Sequence, residues 1–110
     1  MTSVQGIIHV VLVEWHSDAL AVSRQASELV DRHLVPLPLA QGVESGGSVS
    51  SEGLENGFEW ALVIRFENRG ALEAYLPHPE HLVVAEFLRA KAKRLVVFDL
   101  PMSARDSTVA

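Results

Sequence analysis

The chain has no cysteine, which excludes disulfides, thiolate nucleophiles and thiolate metal sites, and leaves it suited to a reducing compartment. Positive charge is scarce as well: 9 Lys and Arg stand against 14 Asp and Glu, giving a net charge of -5. Nucleic-acid affinity rests on clustered cations, so no nucleic-acid partner is expected. The basic run Arg89 to Arg94 falls at the end of a predicted helix, where cations favour the dipole. Long hydrophobic runs are missing. Ile7 to Val13 is too short to span a bilayer, and the N-terminus lacks the basic segment and cleavage site of a secretory signal. These absences predict a cytoplasmic protein with no membrane partner. There is no G-x-S-x-G elbow, and no Lys-Ser/Thr follows Gly46-Gly47 to make a phosphate cradle. His78 and His81 have no third spaced ligand, so no side-chain metal site is expected.

What is present is apolar surface. Hydrophobic residues make up 48% of the 110 positions and the mean hydropathy is +0.19, which for one small domain favours a homo-oligomer. Gly6 to His16 is rich in β-branched residues and reads as a strand. From Asp18 to Leu34 the period becomes helical, with Val22, Ala26, Leu29, Val30 and His33 on one stripe and Ser17 or Asp18 as N-cap. Pro36 and Pro38 stop that helix. A weak strand over Gly42 to Ser50 and a turn-rich loop over Ser51 to Gly57 precede a clear strand, Phe58 to Glu67. Asn68 then caps a short helix through Leu76, a second helical piece runs from Glu80 to Lys93, and Leu95 to Leu100 is a final strand.

The order βαββαβ predicts an α+β, ferredoxin-like domain over residues 1–100: an antiparallel sheet with its helices on one face, followed by a tail at 101–110 that is disordered or embraces a partner. Strand alternation places His9, Val11, Val13, Trp15, Trp60, Leu62, Ile64, Leu95 and Val97 on a common face. We expect this face to be the one left bare by the helices. It exceeds the apolar patch a monomer tolerates, so two sheets should meet face to face as a homodimeric α+β barrel.

The densest chemistry lies in Ala74-Tyr75-Leu76-Pro77-His78-Pro79-Glu80-His81. Pro77 and Pro79 should end one helix and start another, so that Tyr75 and His81 are aimed from two helix ends into common space. A neutral imidazole accepts protons near pH 7, which makes His81 the candidate base, and Tyr75 the candidate donor to a developing oxyanion. A Tyr–His contact that only locks the two helices is the alternative. The expected cavity lies between the sheet and the second helix rather than at the loop 45–57. His9 stands on its wall, and Val11, Val13, Trp60, Leu62, Val84 and Phe87 would bind a flat apolar or aromatic molecule. His78, between its prolines, reads as structural.

The strand His9-Val10-Val11-Leu12-Val13, the turn Ser51-Glu52-Gly53-Leu54-Glu55-Asn56-Gly57-Phe58, the strand Ala61 to Glu67, the joint Ala71 to His81 and the closing Val96-Val97-Phe98-Asp99 together resemble the stress-responsive α/β-barrel (Dabb) family of dimeric α+β barrels. That family includes plant stress proteins and a plant polyketide cyclase. The resemblance implies aldol-type cyclisation with Tyr75 and His81 as catalytic residues, His9 near the pocket and no required cofactor. Two departures imply a different substrate: Ala92 stands where the cyclase has a bulky aromatic, and Glu14 and His16 stand where it has lysines. A non-catalytic stress-response or ligand-binding protein, and a cofactor-independent monooxygenase, are the other readings the resemblance allows. Some relatives also hold a structural magnesium ion on backbone carbonyls after the first helix, here about Leu34 to Ala40.

Overall fold

The computed structural model describes residues 5–103. Its elements are β1 (Ile7–Trp15), α1 (Ala19–His33), β2 (Ala40–Gly46), β3 (Trp60–Phe66), α2 (Arg69–Tyr75), α3 (Pro79–Lys91) and β4 (Ala92–Pro101). The strands form one sheet in the order β2-β3-β1-β4, with every neighbouring pair antiparallel. This is the expected ferredoxin-like arrangement. Residues 104–110, most of the proposed tail, lie outside the described residues.

Local chemistry sets the boundaries. The Asn68 side chain accepts the Ala71 amide at 2.9 Å and starts α2. At α1 the residue is Asp18, as one of the two expected caps, yet its side chain makes no cap bond: it adopts a left-handed conformation, φ 57, and its carbonyl receives the Val22 amide. An Asp tolerates that conformation better than most residues. α3 hands over to β4 without a loop, Lys91 ending the helix and Ala92 opening the strand. The β1 and β4 strands are therefore in long register, from Ile7 opposite Pro101 to Val13 opposite Leu95.

Directly opposed residues in antiparallel strands share a face, and the burial pattern corrects the expected orientation of the sheet. Ile7, Val11, Val13, Trp15, Trp60, Leu62, Ile64 and Phe66 are buried and pack with Val22, Ala26, Val30, Leu72, Val84 and Leu88 of the helices, and His9 on the same face is buried as well. The helix layer thus covers the face expected to be bare. The open face carries the alternate set: Ile8, Val10 and Leu12 on β1 beside Ala61 and Val63 on β3 and Val96, Phe98 and Leu100 on β4. Over the centre of β1 both sets are apolar, so alternation there does not say which one meets helices; toward the edges the open face also carries Arg65, Glu44 and the Glu14–Arg94 pair. Polar partners decide it. The indole N–H of Trp15 donates to Ser23 Oγ at 2.8 Å and that of Trp60 to Ser27 Oγ at 3.0 Å. Both serines are on α1, and a buried indole without such an acceptor would be costly. Phe98 on the open face is 61% exposed, so the argument for a covering partner stands, transferred to the other face.

Candidate active site

The helices do not reach across the whole sheet. Between α3 and the edge strand β4 they leave a cavity of about 210 Å³, lined by His9, Val11, Leu62, Tyr75, Leu76, His81, Val84, Ala85, Leu88, Arg89, Leu95 and Val97. Its polar groups come from three elements: His9 from the centre of β1, Tyr75 from the last turn of α2 and His81 from the first turns of α3. The joint between the two helices brings the last pair together. His78 caps α3, its Nδ1 accepting the Glu80 amide at 3.1 Å, and Pro79 occupies the first helical position. Glu80 in turn bonds the His33 ring at 2.7 Å and ties the joint to the end of α1.

The rings of Tyr75 and His81 lie 4.4 Å apart between centroids, tilted by 47°. His9 meets Tyr75 edge-on at 5.9 Å. A carbonyl oxygen only accepts, so the 2.7 Å contact between His81 Nδ1 and the Leu76 carbonyl fixes the proton on Nδ1 and leaves Nε2 of the neutral ring bare. Burial pushes the His81 pKa below its ordinary value of 6.5. The Leu76 bond opposes this, while the neighbouring charges of His9 and Arg89 add to the lowering. Tyr75 is only 1% exposed, and burial raises its pKa well above the ordinary 10.0. Its hydroxyl has no hydrogen-bond partner among the described residues, yet no buried side-chain oxygen there is left without one; the hydroxyl is therefore not sealed from solvent, and Tyr75 lines the cavity. The site combines a bare imidazole nitrogen with a phenol that keeps its proton.

His9 does not stand alone. Its Nδ1 and Asp99 Oδ1 are 2.5 Å apart, from directly opposed positions on β1 and β4. A carboxylate accepts, so the ring donates through Nδ1 and turns Nε2 the other way. Asp99 is not among the functional residues to which the sequence points. The available signal was the pattern of two strands with His and Asp on the same face, which needs the register to become visible.

His9, Val11, Leu62, Tyr75, His81 and Val84 are brought to one cavity. Val13, Trp60 and Phe87 are not. Val13 is fully enclosed in the core. Trp60 is held against Ser27 of α1 and borders a different depression, under the β2–β3 loop. Phe87 stacks edge-on against Trp15 at 6.4 Å on the α1 side of α3. Val13 and Trp60 share the strand face of His9 and Val11 but lie farther along it, and Phe87 is on the other side of α3 from the cavity. The depression under the loop is about 360 Å³. Its two carboxylates each accept one bond, Glu55 from Ser48 and Glu59 from the Trp15 amide, and no histidine or tyrosine lines it.

In the turn after α1, where the resemblance implies a magnesium ion, the Leu34 and Leu37 carbonyls already accept the amides of Leu37 and Ala40. Among the described residues, no group of three or more His, Asp or Glu side chains converges as a metal site. No helix among them is long and apolar enough to cross a membrane.

A four-stranded antiparallel sheet with helices on one face, and a polar cluster sunk between the sheet and the last helix, define a ferredoxin-like α+β domain. The stress-responsive A/B barrel domain, Dabb, matches residues 7–102, and the chain belongs to that family. Solved structures of similar fold include a dimeric ferredoxin-like protein of unknown function from Thermobifida fusca YX. It is 16% identical with a TM-score of 0.78, over 93% of this chain and 95% of that one. A second dimeric ferredoxin-like protein of unknown function, from Jannaschia sp. CCS1, is 23% identical with a TM-score of 0.76, over 86% and 97%. The hydroxynitrile lyase of Passiflora edulis is 14% identical with a TM-score of 0.80, over 94% and 99%. At these identities the likeness is one of fold. No curated protein matches the chain by sequence.

Proposed function

We propose that this protein is a cytoplasmic homodimer that binds a small apolar or aromatic carbonyl compound in the cavity beneath α3 and catalyses aldol-type carbon–carbon chemistry on it, polyketide cyclisation being the expected form. The observation that carries the reading is the divergence of Tyr75 and His81. In one apolar cavity, burial keeps the imidazole deprotonated and the phenol protonated, and such a pair is suited to act as base and acid at the same pH. His81 Nε2 takes a proton from a carbon next to a carbonyl, breaking the C–H bond and leaving an enolate. The enolate carbon forms a bond to a second carbonyl carbon, whose π electrons move to oxygen. Tyr75 gives that alkoxide its proton, and the imidazolium returns one to the phenolate. The proton balance closes without an oxidant or reductant. His9, oriented by Asp99, holds one of the carbonyl oxygens through Nε2–H when its ring is charged, or through a bridging water when it is neutral.

The first half-reaction is testable on a simple ketone. In deuterated buffer, the wild-type protein should accelerate exchange of the α-protons of acetophenone, followed by NMR, and His81→Ala should remove the acceleration. Saturable binding with no exchange would instead assign the cavity to a ligand-binding protein.

A further inference from the structure

Among the described residues that line the cavity, Arg89 carries the only permanent charge. It is exposed, and it lies on α3 two turns beyond His81 and one turn beyond Ala85, which also lines the cavity. Helical side chains lean toward the N-terminus of their helix, so the guanidinium is carried back over the Ala85 turn toward the site. Its charge is felt at the His81 ring. The ion pairs found among the described residues are His9 with Asp99, His33 with Glu80 and Arg94 with Glu14; Arg89 takes part in none of them. Glu86, three positions back on the same helix, leaves it unpaired. A guanidinium with five donors therefore stands at the mouth of a chamber walled by Val11, Leu62, Val84 and Leu88, with no carboxylate answering it.

We propose that the molecule this cavity takes carries a carboxylate, which Arg89 holds at the mouth while the apolar body fills the chamber; this rests on the reading of the cavity as an acid–base site. The orientation follows. A carboxylate anchored outside sends the other end of the molecule, and with it a ketone carbonyl, inward to Tyr75 and His81. Such an orientation decides which of several carbonyls in a chain is attacked. The guanidinium is planar and forked, so it matches a carboxylate better than a neutral amide of the same shape.

Phenylacetate and phenylacetamide differ in this group alone and test it directly. Titrated into the intact protein at pH 7 and low salt, with the Tyr75 and His81 resonances as reporters, phenylacetate should bind about fivefold more tightly than the amide, as expected for an exposed ion pair. In Arg89→Gln the preference should vanish with the amide's affinity unchanged, and in Arg89→Lys part of it should remain. Added salt should erode it in the wild type. Equal affinity for the two probes, or a preference that survives Arg89→Gln, overturns the role of Arg89 and leaves the cavity reading standing. If neither probe perturbs Tyr75 or His81, the cavity reading falls and this inference with it.

Discussion

The half of the sheet beneath α1 and the half beneath α3 share the strands β1 and β3, and the same face of each, yet they serve different ends. Under α1 the two indoles find hydroxyl partners on the helix, the side chains of Val22, Ala26 and Val30 fill the remaining space, and the layer is sealed. Under α3 the polar groups are one tyrosine, two histidines and Arg89 at the mouth, and the tyrosine hydroxyl has no fixed partner among the described residues. The helix there does not extend over β4, whose Leu95 and Val97 border the cavity. A closed core and a site can therefore be made from one alternating strand pattern. The difference lies in whether the overlying helix supplies a partner for every polar atom and enough apolar bulk to exclude a ligand.

Breaking the sealed half should cost most. Trp60→Ala deletes a buried indole that spans the layer, and a loss of ~3–5 kcal/mol is expected, read as a lower urea midpoint; a loss below ~1 kcal/mol would mean that this half is loosely packed after all. In the open half, His81→Ala should leave the urea midpoint close to wild type while lowering proton-transfer activity by about 10²–10⁴-fold. The same contrast has a pH signature. Burial lowers the His81 pKa below 6.5 and raises that of Tyr75 above 10.0, so the acid limb of the rate profile should lie below the ordinary histidine range and no alkaline loss should set in below pH 10. Because the depressed group must be protonated against the fold, stability tied to His81 is present above pH 6.5 and is lost as pH falls from there through the folded value.

The open face of the sheet is the third element in the comparison. Phe98→Glu places a charge among Val10, Val96 and Leu100 and should convert a particle of about twice the 12.0 kDa chain mass into monomer by light scattering. A wild-type monomer at micromolar concentration would show that no second copy covers this face. Asp99→Asn should have the smallest effect. It keeps the shape and weakens the bond that orients His9, so that ligand affinity falls about fivefold, roughly 1 kcal/mol, with folding intact. A fall in stability of the same size would make the pair a strand clamp instead.

The element order, the proline break, the Asn68 cap and the meeting of Tyr75 with His81 were legible because each depends on neighbours in sequence. The covered face of the sheet was not. Ile8, Val10 and Leu12 are as apolar as His9, Val11 and Val13, and what separates the two sets lies on other elements: Ser23 and Ser27 under the indoles on one side, Arg65, Glu44 and Arg94 on the other. Asp99 lies ninety positions from His9, and its partnership exists only in the β1–β4 register. Alternation names a strand face and not a position along it, so it groups Val13 and Trp60 with His9 and Val11; for Phe87 on α3 the helical period does not separate the side toward β4 from the side toward α1. By sequence Arg89 is part of the solvated end of a helix; the cavity beside it gives it a second aspect.

The break at Pro77 and Pro79 has a chemical side as well as a geometric one. In an unbroken helix the Leu76 carbonyl would receive the amide of residue 80, four positions on. Here that amide goes to His78, and the orphaned carbonyl is taken up by His81 Nδ1 instead. The chain interruption thereby selects one of the two tautomers of the imidazole. Straightening the joint by replacing both prolines with alanine would return the carbonyl to the backbone ladder and free the ring to place its proton on either nitrogen. A discontinuity of the main chain, made by residues with no acid–base chemistry of their own, thus sets where the site's proton resides.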